Sequence, residues 1–173
     1  TYATFAFIIA QPQLAEQMTA YALAIAAEVP HEPLALPLAQ WSRGLWAMLH
    51  NPPAAIDFFG LALPAYETAG DALSVARLAT NLVGVLADCG RFAEGEAAYQ
   101  RALPIVAEYE ATAPAYLIVL EQNYGWLLHN QGRYTEALTS HDRALALAIQ
   151  YNDQHRVNEI RVNRSFTLGM LGE

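Results

Sequence analysis

The chain has 173 residues, 54% of them hydrophobic, with 17 acidic residues against nine cations and a formal charge of −8. Every cation is Arg and none is Lys; an acidic surface of this kind disfavours nucleic acid and an anionic membrane surface, because both reward neutralised phosphates. A single cysteine, Cys89, excludes an internal disulfide and fits a reducing cytoplasm, where its plainest use is as a small filler beside Gly90.

In chain order, residues 1–10 are apolar but too short for a membrane span, and they lack the basic leader of a signal peptide. They read as the end of a first helix whose start lies outside the chain. Gln11-Pro12 breaks it, and 13–28 is expected as a helix with Leu14, Met18, Tyr21, Ala22 and Ile25 inward. Two prolines make Val29–Pro33 a turn. The spacing predicts helices over 34–50, with Pro37 in the first turn and Trp41 and Trp46 in the core, and over 54–68 after Asn51-Pro52-Pro53. From Gly70-Asp71 onward the pattern predicts helices over 72–88, 92–109, 114–130, 134–151 and 154–171. Ala and Leu favour helix throughout, and strand signals are scarce.

The pattern repeats. Asn81, Gly90, Arg91, Phe92, Glu94, Arg101, Ala102 and Leu103 stand 42 residues before Asn123, Gly132, Arg133, Tyr134, Glu136, Arg143, Ala144 and Leu145. Asn163 and Gly172 follow Asn123 and Gly132 by 40, and a step of 40 back sets Gly44 against Gly84 and Ala62-Leu63-Pro64 against Ala102-Leu103-Pro104. Self-similarity at this period means stacked helical hairpins. Gly125 is expected to let a second helix come close, and Gly132 to end a helix in a left-handed residue.

Gly125, Gly132, Tyr134, Ala137 and Ala144 stand where the tetratricopeptide repeat has its Gly, Gly, aromatic, Ala and Ala, so the chain resembles that family. It departs from it at Glu121, Leu128 and His141, in the family's Trp, Tyr and Phe places. The copy before has Val83 for the first Gly and Gly95 for the Ala, and it keeps the aromatic at Tyr99. The long period resembles the repeats of kinesin light chains and large bacterial signalling proteins. The resemblance implies an all-α, right-handed superhelical solenoid of about nine helices. It would be a single array over 1–173, with hairpins at about 1–28, 34–68, 72–109 and 114–151 and a half repeat at 154–173. Both ends look cut from a longer solenoid, and self-association through the terminal helices is expected.

Nothing in the sequence assembles chemistry. His31, His50, His129, His141 and His155 form no metal-ligand spacing, no glycine-rich phosphate loop appears, and Ser42, Ser74, Ser140 and Ser165 lie in no nucleophile motif. Glu94 and Glu136 recur at a helix start, where they suit the helix dipole. No enzyme activity, cofactor or metal is expected. Arg156, Arg161 and Arg164 read as a solvated face pairing with Asp153 and Glu159.

What remains is binding. In the family the first helix of each hairpin lines a concave groove, and that placement implies Arg77, Thr80 and Asp88, then Gln122, Trp126, His129 and Asn130, then Phe166, with Gly84, Glu159, Val162 and Met170 beside them. Trp126 faces either this groove or the space between hairpins; Tyr99 and Tyr134 are packing residues. A carboxylate clamp built on Lys is disfavoured. The leading expectation is a protein–protein interaction module, the sensing or scaffolding arm of a larger bacterial cytoplasmic regulator. The alternatives are a small-ligand or peptide sensor around Arg77, Trp126 and His129, and a structural homo-oligomerisation array.

Overall fold

A computed structural model of the chain describes residues 11–172, so the expectation for residues 1–10 lies outside the described residues. The chain divides into two compact units, one running to Leu78 and one from Ala79. Among the described residues the regular elements are eight α-helices: α1 Pro12–Glu28, α2 Ala35–His50, α3 Pro52–Thr68, α4 Ala72–Asp88, α5 Phe92–Glu108, α6 Ala115–Asn130, α7 Tyr134–Gln150 and α8 Gln154–Leu171. They match the expected spans to within two residues. The largest shift is at α3, which starts on Pro52 itself, because a first-turn proline loses no hydrogen bond.

The punctuation is local chemistry. Gly90, Gly132 and Gly172 end α4, α6 and α8 in the left-handed conformation, with φ of 69°, 78° and 81°. Between a second helix and the next first helix the same bend falls on Gly70 and on Asn152, the one positive-φ residue besides glycine among the described residues. Asp71 and Asp153 follow and cap α4 and α8, accepting from the amides of Ser74 (3.0 Å) and Arg156 (3.1 Å). Arg91 and Arg133 each clasp the carboxylate three residues on, Glu94 or Glu136, and hold that carboxyl below its usual range.

Packing is set by one column of positions on the second helices. Ala15, Ala55, Gly95 and Ala137 are buried at its first level; Thr19, Phe59, Tyr99 and His141 are buried at the second. Ala62, Ala102 and Ala144 are buried at the third, where Ala22 is half-buried, and Ala26, Tyr66, Val106 and Ala148 are buried at the fourth. In two hairpins the large second-level side chain meets a glycine on the first helix. The His141 ring lies so close to Gly125 that a methyl group there would stand 2.6 Å from it, and Phe59 presses on Gly44 in the same way. Gly44 is therefore the counterpart of Gly125 and Val83, not of Gly84, a shift of one residue from the expected register. Gly95 makes room for a methyl of Leu127, from the next hairpin, and lies beside Leu86 of its own.

In the first unit, α2 packs on α3 and α1 on α2. The stripe expected inward on α1 is instead exposed: Leu14, Met18, Tyr21 and Ile25 stand out, and Ala15, Thr19 and Ala26 face the interior. The helix approaches α2 through its small residues, one position around from its large ones, and Arg43 fastens it by donating to the Glu16 carbonyl and the Thr19 hydroxyl at 3.1 Å each. Trp41 is buried as expected, edge-on to Tyr66. Trp46 is only half-buried: it stacks on His50, lies under Arg43 and donates to the Pro12 carbonyl at 3.1 Å.

In the second unit, Ile118, Ala144, Ala148, Val157 and Ile160 form one apolar cluster joining α6, α7 and α8. Arg156 pairs with Glu159 as expected, but Arg164 reaches across to Asp142 of α7 at 2.7 Å. If close approach sets the packing, Gly125→Ala should lower the unfolding free energy by about 1–3 kcal/mol, since the enclosed imidazole cannot retreat. Gly95→Ala should cost less, because a leucine methyl can rotate away and Ala137 fills the same repeat position. Gly60→Ala, on α3 with nothing within 4 Å, should gain up to about 1 kcal/mol. Urea midpoints of the three variants would check this order; Gly125→Ala at wild-type stability would contradict it.

Candidate functional site

The first helices of the second unit, the Ala79–Asp88 part of α4 with α6 and α8, are joined side by side by polar side chains. Asn123 of α6 donates to the Thr80 carbonyl at 2.9 Å, and Asn130, one heptad on, donates to the Ala87 carbonyl at 3.4 Å. The two contacts repeat because both helices rise alike, so an amide seven residues further along meets a carbonyl seven residues further along. Trp126 lies between them on α6. Its indole Nε1–H donates to Asp88 Oδ1 at 2.8 Å, and its ring stacks on His129 with centroids 5.1 Å apart and 8° between planes.

His129 carries the chain of contacts on to α8, with Nδ1 3.0 Å from the Thr167 hydroxyl, and its ring meets Tyr134 edge-on. Burial lowers its pKa, so the imidazole is held toward its neutral form. On α8, Val162, Phe166 and Met170 follow at four-residue spacing and are 54%, 60% and 57% exposed. Side chains four apart share one face of a helix, so the three form a continuous apolar row.

The sequence-predicted residues separate accordingly. Asp88, Trp126, His129 and Asn130 come together as one connected strip. Gln122 lies one turn before Trp126, half-buried, its Oε1 enclosed without a partner. Phe166 is exposed on α8. Thr80 is a correction: it is buried, and its carbonyl is taken by Asn123, so it offers nothing to a ligand. Arg77 belongs to the first unit, where its guanidinium lies 4.6 Å over the Trp41 ring. Trp126 is half-buried and joined to Asp88 and His129 rather than standing free. Tyr99 is buried, stacked on Tyr124 at 3.7 Å, and Tyr134 is half-buried, as packing residues should be.

Two further perturbed ionisable groups lie away from the strip. Glu121 is 4% exposed; it accepts from the Tyr99 hydroxyl at 2.9 Å, and burial raises its pKa. His141 is fully buried, with a pKa pushed down to about 4. Both are sealed between helices, out of reach of a substrate. Burial also raises the pKa of the half-buried Cys89 thiol.

Residues 74–150 match the sequence model of the tetratricopeptide repeat. That stretch belongs to the tetratricopeptide-repeat family. No curated protein matches the chain. The matched residues hold α5, α6, α7 and nearly all of α4, an all-α run of antiparallel hairpins of the tetratricopeptide kind. By itself, α3 carries the same order of buried small and large positions, Ala55, Phe59, Ala62 and Tyr66, and α1 carries small ones only. Tetratricopeptide repeats mediate protein–protein interaction. Among the described residues, no helix is long and apolar enough to cross a membrane.

The structure adds Asn123 and Thr167 to the residues that the sequence places at the site. The signal for Asn123 was present in the recurrence of Asn at 81, 123 and 163. Because Trp126 fastens α6 to α4, Trp126→Ala should lower stability by about 2 kcal/mol, and Asp88→Ala, which removes one partly exposed hydrogen bond, by about 1 kcal/mol or less. Thermal melts of both variants would show it; a Trp126→Ala melt equal to wild type would mean the ring carries no structural role.

Proposed function

We propose that the inner face of α6 and α8 in this tetratricopeptide region docks a protein or peptide partner, and that the chain serves as the sensing or scaffolding arm of a larger bacterial cytoplasmic regulator. The observation that carries the reading is the exposed row Val162, Phe166 and Met170, on a helix whose neighbour presents Trp126 and Asn130. Large apolar side chains in a row cost solvation when bare, and aromatic anchors rimmed by polar groups are frequent hot spots of interfaces. The acidic balance of the chain supports a partner other than nucleic acid or an anionic membrane.

Binding, not catalysis, is the proposed action. Two buried side chains with displaced pKa values, Glu121 and His141, are enclosed in the hairpin core, and His129 on the strip is held by Trp126 and Thr167, which supports the non-enzymatic reading. A protein partner is preferred to a small ligand for a geometric reason. Trp126 is spent on Asp88 and His129, and His129 on Thr167, so neither ring stands free to wall a small-ligand pocket in the second unit. A shallow groove of about 310 Å³ where α7 turns into α8 is lined by Ala148, Ile149, Asn152, Gln154, Val157 and Arg161, none of them on the inner strip.

The test is a comparison of wild type with Phe166→Ala and Met170→Ala in affinity capture, with melts run in parallel. The expected result is at least about tenfold weaker retention of a specific partner at unchanged melting temperature, as loss of an exposed hot spot requires. Undiminished retention by both variants would refute this face as the docking surface.

A further inference from the structure

The α6–α7 hairpin differs from the others in what fills its centre. At the second level of the column, where α3 has Phe59 and α5 has Tyr99, α7 has His141. It is 0% exposed, its ring is wedged against Gly125, and neither Nδ1 nor Nε2 has a hydrogen-bond partner in the protein. Other enclosed atoms without partners are Glu121 Oε2 and Gln122 Oε1, both on α6, and Trp41 Nε1 in the first unit. We infer that His141 is an acid-sensitive latch: as a neutral ring it closes α6 on α7, and its protonation opens that hairpin and with it the inner face fastened through His129 and Thr167.

The chemistry is direct. An imidazolium donates from both nitrogens and accepts nothing, and here it would have no acceptor at either. Burying such a charge unpaired is unfavourable enough that the group stays neutral or the structure gives way. The charged and titratable groups around it do not rescue it. On α6 stand Glu121, Tyr124 and His129; on α7, Asp142 and Arg143; on α8, Arg164; and on α5, Tyr99, whose hydroxyl is given to Glu121. Burial is the main cause of the lowered pKa, His129 and Arg164 act in the same direction, and Asp142 opposes them. Asp142 is itself engaged by Arg164. The charged ring can reach solvent only if α7 moves off Gly125.

The sign follows. The folded-state pKa lies near 4, below the about 6.5 of an unfolded histidine, so the stabilisation is complete above about pH 6.5 and is lost as pH falls toward 4. Glu121 works in the opposite sense, because its raised carboxyl pKa makes the folded state take up a proton on acidification. The contribution of His141 is therefore read as a ratio between proteins that both keep Glu121.

The experiment is hydrogen–deuterium exchange by mass spectrometry on the whole chain between pH 7 and 4.5, corrected for intrinsic exchange, comparing wild type with His141→Phe. The ring of Phe59 against Gly44 shows that phenylalanine fits this setting. The ratio of opening constants, wild type over variant, should rise about tenfold per pH unit below about 6 in peptides of α6 and α7, toward a limit of about 300-fold. Peptides of α3 should show no such rise. A flat ratio, or one that rises equally in α3, overturns the latch. His141→Tyr, copying Tyr99, serves if the phenylalanine variant does not fold. Independently of either variant, the His141 ring of the wild type should remain neutral by NMR to about pH 4; a midpoint near 6.5 in the folded protein overturns the proposal.

Discussion

The distance between the first and second helix of a hairpin is fixed where a glycine takes a ring against its backbone, at Gly44 under Phe59 and at Gly125 under His141. Much of the architecture depends on that contact. It brings α6 and α7 close enough for Ala144 and Ala148 to reach Ile118, and that cluster in turn receives Val157 and Ile160 of α8. The middle copy reaches the same end differently. Val83 occupies the glycine's place, so Tyr99 lies instead against Tyr124 of the next hairpin and donates to Glu121. Gly95 then stands where Ala137 does and admits Leu127. Substitutions at neighbouring levels are thus coupled, as close packing requires.

The putting-together of the inner face is a second consequence of the same spacing. Once the hairpins stack, the first helices run side by side and their backbone carbonyls become acceptors for Asn123 and Asn130. Trp126 and His129 close the remaining gaps to Asp88 and Thr167. Side chains that look in sequence like free recognition groups are therefore partly spent on joining repeats. What is left over is apolar, the row on α8, and this is why the binding role is assigned to Phe166 and its neighbours rather than to the tryptophan.

Helix limits were legible because Gly, Pro and Asp act locally: Gly132 and Gly172 bend, Pro52 starts, and Asp71 and Asp153 cap. The close approach at Gly125 was legible from the repeat as well. The face of α1 was not. Its apolar residues cover more than half the helix, so periodicity offers two adjacent stripes, and only contact with α2 selects Ala15, Thr19 and Ala26 over Leu14, Met18, Tyr21 and Ile25. The register of α2 was obscured because no glycine turn separates it from α3, and this moved the partner of Gly44 by one position. At the candidate site the helix was recoverable and the roles were not. Whether Thr80 or Trp126 is free depends on neighbours about 40 residues away, and no local pattern encodes them.

A ring against a bare backbone position sets the hairpin spacing. A double-mutant cycle on Gly125→Ala and His141→Ala, followed by urea unfolding at pH 7.5, tests it most directly. If the added methyl is harmful only because the imidazole occupies its place, the alanine at 125 should be nearly harmless once the ring is gone. The coupling energy would then be about 1–3 kcal/mol, in the range of residues in direct contact. Additive costs would mean that Gly125 matters for another reason, and that the close approach is not what holds the hairpin.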